Sequence, residues 1–276
     1  MITNYESAVE NIRSILTNYL KKHKLKALVL GISGGIDSAL TAALARPVCD
    51  ALDIKLIGRS ITIETNKQNE ITRAKHVGEA YAHDFKELNL TKAYQTIQPL
   101  IAEDTGKTDP SEHHFKVRMG NIKARLRMQV LYDLASQHKG MVLSTDNYTE
   151  YLLGFWTLHG DVGDFGPIQN LWKTEVFEMA EYLTKTNPDI RQARALSMCT
   201  NAIPTDGLGI TDSDLEQIKA DTYQEVDRIL IHALKNPEDS NFHDHPVVQR
   251  YKNSAYKRNN PFNIPREQIT DLPLLK

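Results

Sequence analysis

The chain has 276 residues, 41% of them hydrophobic and 25% charged, the make-up of a soluble globular protein large enough to bury a real core. Disordered, collagen-like and disulfide-stapled mini-protein classes are excluded by that arithmetic. With 33 Lys+Arg against 35 Asp+Glu, a formal charge of -2 exerts no global pull on phosphate polymers, so small molecules rather than nucleic acid are the expected partners.

The two cysteines, Cys49 and Cys199, make no CxxC pair and no zinc-ligand spacing, and are expected as buried thiols in a reducing compartment. Residues 1–7 build no apolar signal block, and apolar runs such as 27–32 fall far short of the ~20 residues a membrane span needs. A cytoplasmic protein without membrane contact is expected.

In chain order, Val9, Ile12, Leu16 and Tyr19 recur at three- and four-residue spacing and predict an amphipathic helix over 5–23, with a basic last turn of Lys21, Lys22 and His23. The apolar run 27–32 has the length and character of a strand buried on both faces of a parallel sheet. An Ala/Leu-rich helix over 38–52, a strand over 54–63 and a helix over 67–83, with Ile71, Ala74 and Val77 on one face, continue the alternation. Ile122, Leu126, Val130 and Leu134 predict a helix over 122–138, with a strand over 141–144 after it. The polar stretches 103–114 and 204–214 are expected as mobile loops, 223–234 as a helix, and 235–245 as a further loop. This βαβ pattern specifies an α/β fold, a doubly wound, mostly parallel sheet with helices on both faces. The expected organisation is one domain over 1–276 with a C-terminal extension from about residue 235.

Directly after the first strand, Gly31, Ile32, Ser33, Gly34, Gly35, Ile36, Asp37 and Ser38 spell a glycine loop that opens a helix. Adjacent glycines let backbone N–H groups close around an anion, the serines add hydroxyl donors, and the helix N-terminus adds partial positive charge. That chemistry suits a phosphate or pyrophosphate. The loop is not a Walker A motif, where a Lys would stand in place of Asp37, nor is it GxGxxG. An acid beside phosphate is repelled unless a cation lies between them, so Asp37 points to Mg2+ shared with the nucleotide.

Several other residues carry two readings each. Glu150 gives a second carboxylate to that ion or caps its own helix, and Thr145 bonds ATP or caps a helix. On spacing alone Lys173 is expected as an exposed helix-start lysine, and Arg125, in a run with Lys123 and Arg127, on a solvated helix face. Asp161 and Asp164 lie in a Gly-rich segment that lets backbone approach a ligand, or they simply form turns. Phe155 and Trp156 are core or base-stacking aromatics, and His113, His114, His243 and His245, lacking a third ligand at metal spacing, are expected at the surface.

The loop resembles the PP-loop of the ATP pyrophosphatases, enzymes that split ATP between its α- and β-phosphates to adenylate a carbonyl-type oxygen. Further motifs choose among their branches: Asn121-Ile-Lys-Ala-Arg-Leu-Arg-Met128, Ser144-Thr-Asp-Asn-Tyr-Thr-Glu150, Gly154-Phe-Trp-Thr157, then Gly160, Asp161, Asp164, Pro167, Ile168, Leu171 and Lys173. With Pro204-Thr205, Ser213-Asp-Leu-Glu-Gln217 and Lys257-Arg258-Asn-Asn-Pro261, they are similar in content and order to ammonia-dependent NAD synthetases, from the N-terminal helix to Arg266.

The resemblance implies a Rossmann-like fold of the adenine nucleotide alpha-hydrolase type and ATP-dependent amidation of deamido-NAD by ammonia, through an adenylate, to NAD, AMP and pyrophosphate. It implies ATP binding by residues 31–38, Thr145, Lys173 and Thr205, and Mg2+ on Asp37 and Glu150. Deamido-NAD would meet Asn121, Arg125, Leu158, Asp164, Tyr256 and Lys257, and Asp37 and Lys173 would be catalytic; the resemblance does not name the base for ammonium, and Asp161 is the residue expected in that catalytic role. The resemblance also implies a homodimer with the site at its interface. Ammonia is expected free or from a partner, and because an adenylate must be kept from water, the segments 103–118 and 204–214 are expected as lids.

Two departures stand out. Thr157-Leu-His-Gly-Asp161 replaces the family's frequent Thr-Lys-Tyr-Gly-Asp, removing a cation at Leu158, and Tyr256-Lys257-Arg258 replaces His-Lys-Arg. Rival readings are another PP-loop amidating ligase, for example on XMP, and a non-catalytic nucleotide-binding module.

Overall fold

The computed structural model describes all residues except 65, 105–111, 203–214, 216–217, 259 and 271–276. Helix α1 (Tyr5–His23) starts where the Asn4 side chain accepts the Ser7 N–H, buries Val9, Leu16 and Leu20, and ends at Lys24 in the left-handed region. Strand β1 (Ala27–Gly31) follows, then α2 (Ile36–Leu52), β2 (Lys55–Thr62), α3 (Gln68–Tyr81) and β3 (Asp84–Asn89). Helices α4 (Thr91–Asp104) and α5 (His113–Gln137) lead to β4 (Met141–Val142). The chain continues through α6 (Tyr148–Leu153), α7 (Lys173–Thr186), α8 (Ile190–Thr200), α9 (Tyr223–Lys235), α10 (Pro246–Asn253) and α11 (Ala255–Arg258).

All pairings of this sheet are parallel, in the order β3-β2-β1-β4. The period-two alternation of β1 splits its side chains between two faces. Leu28 and Leu30 join Leu56 in a core built with α1, α2, α3, α7 and α8, while Ala27 and Val29 join Ile57, Val142 and Ala135 of α5 on the opposite face. Helices therefore cover both faces, as the apolar β1 run required. The order also sends the chain one way from β1 to β2 and β3, and the other way to β4. That leaves a switch point between β1 and β4, where a crevice opens at the carboxyl ends of the strands.

Several elements differ from the sequence expectation. Strand β3 is an edge strand whose Asp84, Lys86 and Glu87 break the apolar pattern, and its partner β2 supplies the pairing that its composition does not announce. Helix α5 begins at His113, nine residues before its predicted start, because Phe115 and Met119 extend the apolar stripe under α4. The expected loop over 103–114 is thus helical at both ends, and the expected lid over 103–118 coincides in part with α4 and α5; its residues 105–111 lie outside the described residues, as does the other lid, 204–214. β4 is shorter than expected, with Leu143 only bridging Phe165. No described helix is long and apolar enough to cross a membrane.

Leu44 of α2 has no exposed surface within the main core. Leu44→Ala is expected to cost about 2–5 kcal/mol of stability, read as a lowered denaturant midpoint with unchanged slope.

Candidate active site

The glycine loop leaves β1 at the switch point. Gly34 has φ 84°, and a Cβ there would stand 2.3 Å from the Glu70 carbonyl oxygen of α3, so only glycine fits. Inside the loop, Ser38 Oγ accepts the Ser33 N–H at 3.3 Å and donates to the Gly35 carbonyl at 3.1 Å, and Ser33 Oγ accepts the Gly35 N–H at 3.2 Å. Arg73 of α3 donates from Nε to the Gly34 carbonyl at 2.8 Å, clamping the loop from outside. The result is a tight backbone cradle at the N-terminus of α2, with Asp37 on its first turn.

Asp37 meets two other helix starts. Lys173, the first residue of α7, places Nζ 2.6 Å from Asp37 Oδ2 and 2.8 Å from Glu150 Oε1, with only 1% of its side chain exposed. Asn147, the N-cap of α6, accepts the Glu150 N–H and donates from Nδ2 to Asp37 Oδ1 at 2.8 Å. Burial disfavours the charge of Lys173, but Asp37 and Glu150 outweigh it and hold the ammonium well above the ordinary lysine range. The ring of Tyr223 lies 5.2 Å below the ammonium. Lys173 is thus buried rather than an exposed helix-start cation, and Glu150 is both capping-box residue and ion partner.

A cavity of about 530 Å³ opens over this cluster. Of the expected ATP and metal residues, Gly31, Ile32, Ser33, Gly35, Ile36, Asp37, Ser38, Thr145, Glu150 and Lys173 line it. Gly34 faces α3, and Thr205 lies outside the described residues. Asn121, Asp161 and Lys257 line the same cavity from the other side.

Of the other expected dinucleotide residues, Arg125, Leu158, Asp164 and Tyr256 do not line this cavity. Arg125 is spent on the Leu158 carbonyl, which accepts from its Nε and Nη2 at 3.3 and 3.2 Å. Asp164 ties its loop to the sheet, accepting the Val142 N–H at 2.9 Å and the Tyr132 hydroxyl at 3.0 Å. Tyr256 is 65% exposed. Lys257 donates to the carbonyls of Gly154, at 2.7 Å, and Trp156.

The cavity also holds an acid that the sequence motifs left without a role, Asp146, beside the expected Asp161. Asp146 is buried, accepts the Ser144 hydroxyl at 2.9 Å, and titrates well above the ordinary carboxylate range, because burial and then the charges of Asp161 and Glu150 disfavour its anion. Asp161 is exposed to the cavity, and the surrounding protein raises its pKa to about 6 against the Thr157 N–H bond and the charge of Lys257. Arg127 donates to the Ile61 carbonyl and Asn66, and lines the cavity with Arg73. Asn147 was legible as the start of an Asn-x-x-Glu capping box; Arg73 and Asp146 carry no local signal.

The donor set fits a hard divalent cation. Asp37 and Glu150 are carboxylates on separate elements that already share one cation, the Lys173 ammonium, at the floor of an open cavity. Mg2+ binds through one or two carboxylates when substrate phosphates and water supply the rest.

A parallel α/β sheet with an anion-cradling glycine loop at its switch point, and a Lys–carboxylate cluster beneath, defines a nucleotide-binding protein of the ATP pyrophosphatase type. The pattern of the NAD synthase family matches residues 8–261, and the chain belongs to that family. It is similar to the NH(3)-dependent NAD(+) synthetase of Methanococcoides burtonii, 34% identical over 70% of this chain and 71% of that one. The corresponding Methanosarcina acetivorans protein is 30% identical over 94% and 97%. Among solved structures, NMN synthetase from Francisella tularensis shares the fold with a TM-score of 0.77 at 24% identity, over 95% of this chain and 99% of that one.

Two outcomes follow from the geometry. Gly34→Ala is expected to weaken ATP binding about tenfold or more by displacing the cradle backbone, measured by calorimetry. Because Asp161 binds its proton more tightly folded than unfolded, stability falls as pH rises from the ordinary carboxylate value of 3.8 to about 6. Asp161→Asn, which can still accept the Thr157 N–H, is expected to be more stable than the parent above pH 6 and to lose that advantage below pH 4, read from urea midpoints.

Proposed function

We propose that this chain adenylates the nicotinate carboxylate of deamido-NAD with ATP and passes the activated acyl group to ammonia, giving NAD, AMP and pyrophosphate. The observation that carries the reading is the Asp37–Lys173–Glu150 cluster directly beneath the glycine loop. Loop N–H groups and the α2 N-terminus hold the phosphates. A carboxylate oxygen of the substrate attacks the α-phosphorus, and the bond to the β,γ-pyrophosphate breaks. Lys173 faces the charge that grows on the leaving pyrophosphate, where a preorganised buried cation lowers the barrier most. When bound, Mg2+ on Asp37 and Glu150 supplies charge neutralisation to the phosphate oxygens.

Ammonia then adds to the acyl carbon and AMP leaves, carrying the electron pair of the broken C–O bond. AMP is a far better leaving group than the oxide of a free carboxylate. Asp161, on the opposite cavity wall, receives the proton released by the nitrogen, and its raised pKa suits it to hold that proton near neutral pH. Asn121 and Lys257 border the dinucleotide at the same wall. The active assembly is a homodimer with the site at its interface; Arg125 and Asp164, held by the Leu158 carbonyl and by Val142 and Tyr132, shape the wall rather than reach into the cavity of their own chain. Ammonia arrives free or from a separate partner, in the cytoplasm.

The test is AMP and pyrophosphate release with ammonium and one of three acceptors, the dinucleotide, nicotinate mononucleotide or XMP, with the amidated product identified by mass. One AMP per NAD is expected with the dinucleotide, and Lys173→Ala is expected to lower kcat about 10²–10³-fold. Turnover with the mononucleotide alone would move the substrate to that acceptor, in keeping with the absent cation at Leu158. ATP binding without cleavage for any acceptor would overturn the reading in favour of a nucleotide-binding module.

A further inference from the structure

Helix α7 caps itself only in part: Glu175 of its first turn accepts the Trp172 N–H at 3.0 Å, but the N-cap side chain gives nothing in return. Its N-cap is Trp172, whose indole has no acceptor to offer the free N–H groups of the first turn. Those N–H groups are satisfied from two distant elements: Lys173 N–H donates to Thr149 Oγ1 of α6 at 2.9 Å, and Thr174 N–H donates to Asp227 Oδ2 of α9 at 2.9 Å. Asp227 also accepts the hydroxyls of Thr149, through Oδ1, and of Thr174, through Oδ2, at 2.5 and 2.6 Å. Its side chain is 2% exposed, so this carboxylate sits in the core with three donors and the positive end of α7 as its compensation. One turn earlier on α9, Tyr223 places its ring under the Lys173 ammonium.

We infer that Asp227 is a positioning residue for Lys173: it caps α7 in trans and locks the Thr149 hydroxyl that holds the Lys173 backbone. The network fixes Lys173 from its main-chain side, as Asp37 and Glu150 fix it from the ammonium side. Burial raises the carboxyl of Asp227 above its ordinary value, and the three donors from Thr149 and Thr174 oppose that rise, so the group is held for its hydrogen bonds at a cost in desolvation. Asp227 is not among the described residues that line the cavity, so it acts through Lys173. The functional consequence rests on the role of Lys173 in pyrophosphate departure.

The experiment compares full-length parent, Asp227→Asn, Thr149→Val, Thr149→Ser, Thr174→Val and Thr174→Ser. Two readouts are used: steady-state kinetics, and acetylation of Lys173 by N-hydroxysuccinimidyl acetate followed by peptide mass spectrometry, with the 70% exposed Lys185 as internal reference. Asp227→Asn is expected to lower kcat about tenfold to a hundredfold with KM for ATP within about twofold. Acetylation of Lys173 relative to Lys185 is expected to rise about tenfold, since the lysine is freed locally. Both Thr→Val variants should follow Asp227→Asn, and both Thr→Ser variants, which keep the hydroxyl, should restore parental values. Folded Asp227→Asn with parental kcat and parental Lys173 acetylation overturns the inference, as does a uniform rise in acetylation of buried lysines, which marks a merely structural role. If Asp227→Asn fails to fold, parental behaviour of both Thr→Val variants overturns it equally. The acetylation readout needs no substrate, so it decides the positioning role even if the parent turns over no acceptor.

Discussion

A single buried ammonium sets the terms for the rest of this structure. Lys173 could not stay charged at 1% exposure on its own, because taking a lysine out of water costs several kcal/mol. It stays charged because Asp37 and Glu150 approach it from two other elements. Each of the three residues stands in the first turn of its helix, so the starts of α2, α6 and α7 must converge on one point. The convergence concentrates backbone N–H groups and positive helix ends beneath the cavity, and the carboxylates keep that excess balanced until an anionic ligand arrives.

The sheet order explains why the convergence falls where it does. With β1 flanked by β2 and β4, the loops leaving β1 and β4 part on opposite sides of the crevice. The first carries the glycine cradle and Asp37; the second runs through Ser144, Asp146 and Asn147 to Glu150. Asn147 joins them, donating to Asp37 while capping the helix that carries Glu150. A third contribution comes from α3, whose Glu70 carbonyl leaves Gly34 room for no side chain and whose Arg73 holds the Gly34 carbonyl. The cradle therefore takes its shape from tertiary packing as much as from its own glycines.

The C-terminal helices do comparable work at the far wall. Arg258 and Ser254 donate to the Leu152 carbonyl, Arg250 to that of Leu153 and Lys257 to those of Gly154 and Trp156, so side chains from α10 and α11 and the residues beside them satisfy the carbonyls at the end of α6 that the Gly154 and Phe155 N–H groups, bonded to Tyr151 and Glu150, leave over. Arg250 also lies 3.9 Å over the Phe155 ring. These contacts fix residues 152–156, and with them the wall that carries Asp161. Basic residues that a sequence comparison assigns to substrate are in this chain also the ties of the cavity wall.

The sequence by itself determined the parallel α/β class, the position of the first βαβ unit and the anion-binding loop. Continuous apolar runs, Ala/Leu-rich helices and paired glycines are local signals whose physics does not depend on what packs against them. Strand β3 stayed hidden because it is an edge strand that is only half-buried, Phe85 packing on the main core while Lys86, Glu87 and Asn89 stay polar, and the first turns of α5 because polar residues mask an apolar stripe that exists only once α4 covers it. Asp37, Glu150 and Lys173 were legible as charged residues near helix starts, but their shared ion cluster was not: 136 residues separate Asp37 from Lys173, and only the sheet order brings them to 2.6 Å. The same holds for the dual duty of Lys257, the carbonyl partner of Arg125 and the cap that Asp227 supplies to α7. A residue's type fixes the chemistry it can perform; which partner consumes that chemistry is decided by desolvation and geometry, and those are properties of the packed chain.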